Sequence, residues 1–194
     1  MSSRDRILKS VSLNQPAESI LPENPTFSLS NGDPVEQFVN VAVQIGSRVF
    51  EASDMEEVNS ILKSEYATAK RIISALPESE HFVNRELLSS FEPHSFENID
   101  LLLISGQFGV AENGAIWVTD ENLAQRVLPF ITQHLAIVID KKNIVANMHQ
   151  AYERIGNAAY DYAAFIAGPS KTADIEQSLV LGAHGPRGLS IFLL

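Results

Sequence analysis

Residues 99 to 105 read IDLLLIS, a near-continuous apolar run, and this run constrains the fold more than any other feature of the chain. A strand with one wet face alternates apolar and polar side chains, whereas a strand covered on both faces has no need to. Leu135 to Asp140 (LAIVID) and Leu189 to Leu194 (LSIFLL) repeat the pattern. Shorter strands are predicted at Arg48–Glu51, Arg71–Ala75, Ala115–Thr119 and Ala163–Ala167. Amphipathic stretches lie between them. Asp33-Pro34 starts a helix carrying Phe38, Val41, Ala42 and Ile45, with Gly46 as its stop. Asp54 caps a second helix with Val58, Ile61 and Leu62, and Met148–Ile155 forms another that ends at Gly156. Short helices are also expected at Glu121–Val127 and Thr172–Leu179. Buried strands alternating with helices predict an α/β fold with a mostly parallel sheet flanked by helices. The final apolar run is expected to pack into that sheet.

The first ~30 residues differ from the rest. Ser2 and Asp5 resemble a capping box, with Ile7, Leu8 and Val11 on one face of a short helix. Pro16, Pro22, Pro25 and Pro34 then punctuate a polar stretch. The division expected is an N-terminal helix and Pro-rich arm at 1–32 and an α/β domain at 33–194. The arm would be ordered only where it meets the body or another subunit, and an ordered arm would favour a homodimer.

Charge and composition narrow the function. Acidic residues number 24 against 14 basic, for a net charge of −10. A partner such as nucleic acid needs a basic patch, and an anionic membrane surface is disfavoured for the same reason. There is no cysteine, which removes disulfides, a catalytic thiol and thiolate ligation of an Fe–S cluster. No apolar signal core opens the chain and no run approaches the ~20 residues of a membrane helix, so a cytoplasmic location is expected.

Three polar stretches are candidates for a site. In GPSKTADIE, Gly168 turns a strand towards Ser170, Thr172, Asp174 and Glu176. Read as the start of a helix, this is an anion pocket made of hydroxyls and unpaired N–H groups; read structurally, Ser170 or Thr172 caps that helix. In LGAHGPRGL, His184 is a candidate proton-transfer group and Arg187 a clamp for carboxylate or phosphate, with Gly185 between them. The alternative is a glycine-rich turn with a solvated arginine. In FGVAENGAIWVT, Glu112 precedes the turn residues Asn113 and Gly114. A desolvated carboxylate there would serve as base or nucleophile, whereas an exposed one belongs to an ordinary turn. Trp117 reads as core. His81, His94, His134 and His149 show no metal-ligand spacing and read as surface or satisfied residues, so no metal is assigned. P-loop, G-x-G-x-x-G and G-x-S-x-G motifs are absent, and no cofactor is assigned.

These residues carry a resemblance. GPSKTADIE at 168–176, LVLGAHGPRGLSIFLL at 179–194 and FGVAENGAIWV at 108–118, with the opening SSRDRILKSV, are similar to the LUD-domain family, specifically its lactate utilization protein C (LutC/YkgG) group. The similarity covers most of the chain. One departure is that Asn113-Gly114-Ala115 stands where many members have Thr-Gly-Ser/Thr, which removes two hydroxyls. The resemblance implies a fold like that of the NagB, ribose-5-phosphate isomerase and CoA-transferase superfamily, with ligands at loops beside strand ends. It also implies a role in oxidising L-lactate to pyruvate with two partners, one a cysteine-rich subunit and the other carrying iron–sulfur motifs. This chain would be the non-redox subunit, binding a small anionic ligand or assembling the complex. Two alternatives stay open: a free-standing enzyme on a sugar phosphate or acyl-CoA, and a scaffold or regulatory protein with no small ligand. The binding readings require Glu112, Ser170 and His184 to converge on one cleft.

Overall fold

The computed structural model describes residues 2–20, 22, 32–82, 93–173 and 179–194. Helix α1 (Ser3–Leu13) is closed by the expected box, in which Ser2 and Asp5 bond reciprocally. None of its residues is buried, and Ile7, Leu8, Val11 and Leu13 are all exposed. Helix α2 (Pro34–Gln44) starts where Asp33 accepts from Val35 N, and it buries Phe38 and Ala42. Strand β1 (Arg48–Glu51) leads to α3 (Met55–Glu65), whose cap Asp54 accepts from Glu57 N. Then come β2 (Ile72–Ser74), β3 (Leu101–Ser105), β4 (Phe108–Val110) and β5 (Ala115–Thr119). A single-turn α4 (Leu128–Ile131), β6 (His134–Ile139), β7 (Ile144–Val145), α5 (Met148–Ile155) and β8 (Ala163–Ile166) follow. The chain ends through β9 (Lys171–Ala173), β10 (Leu179–Leu181) and β11 (Gly188–Leu193).

The central sheet has five strands in the order β1-β11-β6-β3-β2, and every pairing in it is parallel. The last strand is therefore interior, as the LSIFLL run implied. The apolar runs divide by alternation. Leu101, Leu103, Ala136, Val138 and Phe192 face α3 through Val58 and Leu62. Leu102, Ile104, Leu135, Ile137, Ile139, Ile191 and Leu193 face Phe38 and Ala42 of α2 together with Ile116 and Val118 of β5. Both faces are covered, which is why the strands read as continuous rather than alternating. Each fully buried Leu or Ile contributes about 1.5–3 kcal/mol relative to an exposed one.

A second sheet, ordered β7-β4-β5-β8, is mixed: β4–β5 and β5–β8 run antiparallel while β4–β7 is parallel. It packs one face on the central sheet. Its other face holds Phe108, Val110 and Trp117 against Ala151 of α5, so Trp117 belongs to the core as expected.

Two predicted helices are corrected. Over 121–127 there is only a 3₁₀ turn (Asp120–Asn122) in which Thr119 and Asn122 cap each other, followed by irregular chain. Pro129 occupies the first turn of α4, a place where its missing N–H costs nothing, so the helix begins there instead. Over 172–179 the described ends are strands: β9 pairs antiparallel with β10, matching Thr172 to Val180. Ser170 explains the change, because its N–H donates to Pro186 O at 2.8 Å and its carbonyl accepts from Gly182 N at 3.0 Å. Both backbone groups are engaged across the chain, which holds the chain extended at the start of β9. Asp174 and Glu176 lie outside the described residues. Among the described residues, no helix is long and apolar enough to cross a membrane.

Candidate functional site

The three polar stretches meet around the C-terminal end of α2. Gly114 and Gly168 have φ of +67° and +73°, a region that favours glycine. Each also lies against the helix end: an added Cβ would sit 3.1 Å from Ala42 Cα at Gly114 and 2.9 Å from Ile45 O at Gly168. Lys171 Nζ donates to that same Ile45 carbonyl, a cation at the negative end of the helix. Gly185 packs on Ser170, whose Cβ is 3.0 Å from the position of an added Cβ. Thr172 Oγ1 donates to Val180 O at 3.3 Å across the β9–β10 pair. Asn113 Oδ1 accepts from Ala115 N at 3.0 Å, closing its turn with a side chain.

Two candidates stand differently. Glu112 is exposed, and its carboxylate accepts from Met148 N at 2.8 Å, in the first turn of α5. It completes a helix N-terminus beside the Asn147 cap, so the position lacks the desolvation that a carboxylate base requires. His184 is exposed in the turn before β11. Thr172 lies in β9 and Ser170 directly before it, so among the described residues neither sits at a helix start.

Arg187 leads from this loop into a cleft of about 570 Å³ at the amino ends of β1, β11 and β6. Arg187 N donates to Gln133 O at 2.8 Å, which fixes the entry to β11. Tyr66, the residue capping α3, places its hydroxyl 2.8 Å from Ser190 Oγ, and Ser190 is fully buried. The Tyr66 and His134 rings lie 5.3 Å apart. Burial, aided by the positive charges of Arg187 and Arg48 and opposed by Asp100, holds the His134 imidazole below its usual range, so it is neutral at pH 7. Arg48 is paired with Glu65. Asp100 accepts from Arg71 N at 2.9 Å and Lys70 N at 2.8 Å, and these bonds hold its carboxyl below the ordinary carboxylate range. Among the described residues, no carboxylate pairs with Arg187 and no hydrogen bond reaches the His134 ring nitrogens.

Tyr66, Ser190, Arg48 and His134 gave no site signal in the sequence. They come from four separate elements and form no motif. The available hint was a histidine placed directly before a buried strand, where burial acts on its charge. Among the described residues, no three His, Cys, Asp or Glu side chains lie together as a metal site.

The LUD domain model matches residues 90–194, more than half of the chain. The chain belongs to the LUD-domain family. It is similar to lactate utilization protein C of Bacillus pumilus, 29% identical over 81% of this chain and 77% of that protein. It is also similar to lactate utilization protein C of Shouchella clausii, 32% identical over 53% of this chain and 46% of that one. A crystal structure of a DUF162 family protein from Deinococcus radiodurans superposes with a TM-score of 0.65 over 86% of this chain and 99% of that one. At 18% identity that likeness establishes the fold alone.

Proposed function

We propose that this chain is a non-redox subunit of a system that oxidises L-lactate to pyruvate. In this reading iron–sulfur and cysteine-rich partners take the two electrons leaving lactate, and this chain binds a small anionic ligand or assembles the complex. The similarity to lactate utilization protein C over 81% of the chain carries the reading. The absence of cysteine agrees with it, because a chain with no thiolate cannot supply the usual ligands of an iron–sulfur cluster. Residues 33–194 are proposed as the LUD-type unit and 1–32 as an arm. Asn113, Gly114, Gly168, Ser170, Thr172, Gly185 and Arg187 are proposed to shape the ligand side of that unit.

The test is genetic. Deleting the gene while leaving its neighbours intact should abolish growth on L-lactate and leave growth on pyruvate unchanged. Undiminished growth on L-lactate would end the proposal. Exposed, cap-forming Glu112 gives no support to the rival reading of an enzyme that needs it as a base.

A further inference from the structure

We infer that the cleft at the amino ends of β1, β11 and β6 is a seat for a small monoanionic carboxylate bearing a hydroxyl or carbonyl oxygen on the adjacent carbon. In it, Arg187 takes the carboxylate while Tyr66 and His134 take the neighbouring oxygen. The naming of this ligand class rests in part on the proposed lactate role. The site itself rests on which groups in the cleft have protein partners and which do not.

The cleft holds two guanidinium groups and two carboxylates. Glu65 is matched by Arg48, and Asp100 is taken up by two backbone N–H groups. Arg187 is left as the cation without a carboxylate partner among the described residues, and its forked N–H groups suit a carboxylate held by two parallel bonds. Tyr66 and Ser190 share a single hydrogen bond at 2.8 Å. One hydroxyl proton is committed by that contact and the other is not. Ser190 has no accessible surface, so it acts as a positioning residue that holds the Tyr66 hydroxyl, and Tyr66 is the group that meets the ligand. Neutral His134 offers one N–H and one lone pair beside the Tyr66 ring. The surplus is therefore one cation, one hydroxyl donor and one amphoteric imidazole on adjoining walls. That set matches a carboxylate with an oxygen on the next carbon, as either alcohol or ketone.

The surroundings also select against a dianion. Arg48 offsets Glu65, but Asp100 keeps its charge in the same cleft, and the C-terminal end of α3, at Glu65 and Tyr66, borders it. A helix C-terminus carries partial negative charge, so two negative charges on the ligand would meet repulsion that a single arginine does not offset. A phosphate monoester is thereby disfavoured relative to a monocarboxylate.

The experiment is titration calorimetry on the full chain with L-lactate, pyruvate, glycolate, acetate, inorganic phosphate and ribose 5-phosphate. It is paired with NMR titration of the His134 imidazole. The expected result is that the 2-hydroxy and 2-oxo acids bind, acetate binds more weakly, and the phosphates bind least. Arg187→Leu should weaken binding by roughly 10- to 100-fold, and Tyr66→Phe by about fivefold, with circular dichroism unchanged for both. Arg187 is exposed, so its loss leaves the fold intact. Bound carboxylate should also raise the His134 pKa, because an anion beside the ring favours its charged form; a purely structural arginine would not couple these two readouts. Phosphates binding more tightly than monocarboxylates, or wild-type affinity in Arg187→Leu, would overturn the assignment. So would the absence of binding by every acid. Loss of growth on L-lactate in the deletion strain together with no binding here would sink the cleft and spare the proposed role. Binding here together with normal growth would do the reverse.

Discussion

The two ends of the central sheet are built differently. At the carboxyl ends, polar groups are matched to one another. Lys141, just after β6, pairs with Glu51 at the end of β1 at 2.7 Å. Ser105 accepts from Asn122 at 2.9 Å, and Gln107 donates to Thr119 at 2.9 Å. At the amino ends Arg48 pairs with Glu65 and Tyr66 with Ser190, while the side chains of Arg187 and His134 in the same cleft have no such partner among the described residues. Open α/β sheets ordinarily bind ligands at their carboxyl ends, where loops splay apart. Here β3 runs through Gly106 directly into the second sheet, which places Ile116 over Ile137 and Ile139 beside that end. A polar cleft holding Arg187 and His134 lies at the other end. The proposed seat thus follows the unmatched polar groups and not the strand direction.

Paired glycine substitutions test that contrast, and the first carries the largest effect. A Cβ at Gly106 would lie 2.3 Å from Ile116 Cγ2 and 2.7 Å from Ile139 Cγ2, inside close-packed core. Gly106→Ala should lower unfolding stability by about 1–3 kcal/mol through overpacking, read by chemical denaturation. At the amino end, a Cβ at Gly188 would lie 2.9 Å from His134 Nδ1, a ring that can turn into open space. Gly188→Ala should cost less than about 1 kcal/mol and weaken carboxylate binding instead. Equal losses of stability would mean the two ends are equally packed and would break the comparison.

A smaller effect is expected at Glu112. If its role is to accept from Met148 N, Glu112→Ala should lower stability by about 1 kcal/mol, the scale of a lost helix cap. Carboxylate affinity in the cleft should be unchanged. A loss of growth on L-lactate with unchanged stability would restore the reading of Glu112 as a chemical group.

Much of the fold was legible because buried parallel strands and capped helices leave local marks. IDLLLIS, LAIVID and LSIFLL gave β3, β6 and β11, while Asp33-Pro34, Asp54 and Gly156 marked helix ends that the structure reproduces. The misses are places where distant backbone overrides local preference. Ser170 is held extended by Pro186 and Gly182, which a reading of GPSKTADIE as a helix start cannot anticipate. Of the proposed cleft, only Arg187 was legible. Tyr66 ends a helix, His134 opens a strand and Ser190 sits within an apolar run, so their meeting depends on strand order and not on spacing. Gly114 and Gly168 let their turns seat against the end of α2.

The last test of the contrast uses pH. His134 has a folded-state pKa below its ordinary value of 6.5, chiefly because burial disfavours the imidazolium. The unfolded chain therefore binds a proton there before the folded chain does, and stability rises with pH across that interval. The protein should hold full stability from this group above about pH 6.5 and lose it as pH falls from there towards the folded pKa. Asp100 acts in a separate and lower window: its folded pKa lies below 3.8, so its contribution is present above that value and is lost only in stronger acid. His134→Gln should flatten the denaturation midpoint between pH 6.5 and the carboxylate range while leaving the stronger-acid transition in place. Arg187→Leu should raise the folded pKa towards 6.5, narrowing the upper window from below and shrinking the stability lost across it, because the neighbouring guanidinium is one of the charges that lower it. An upper window that ignores Arg187 would separate the two residues electrostatically and remove the cleft's cation from beside its imidazole.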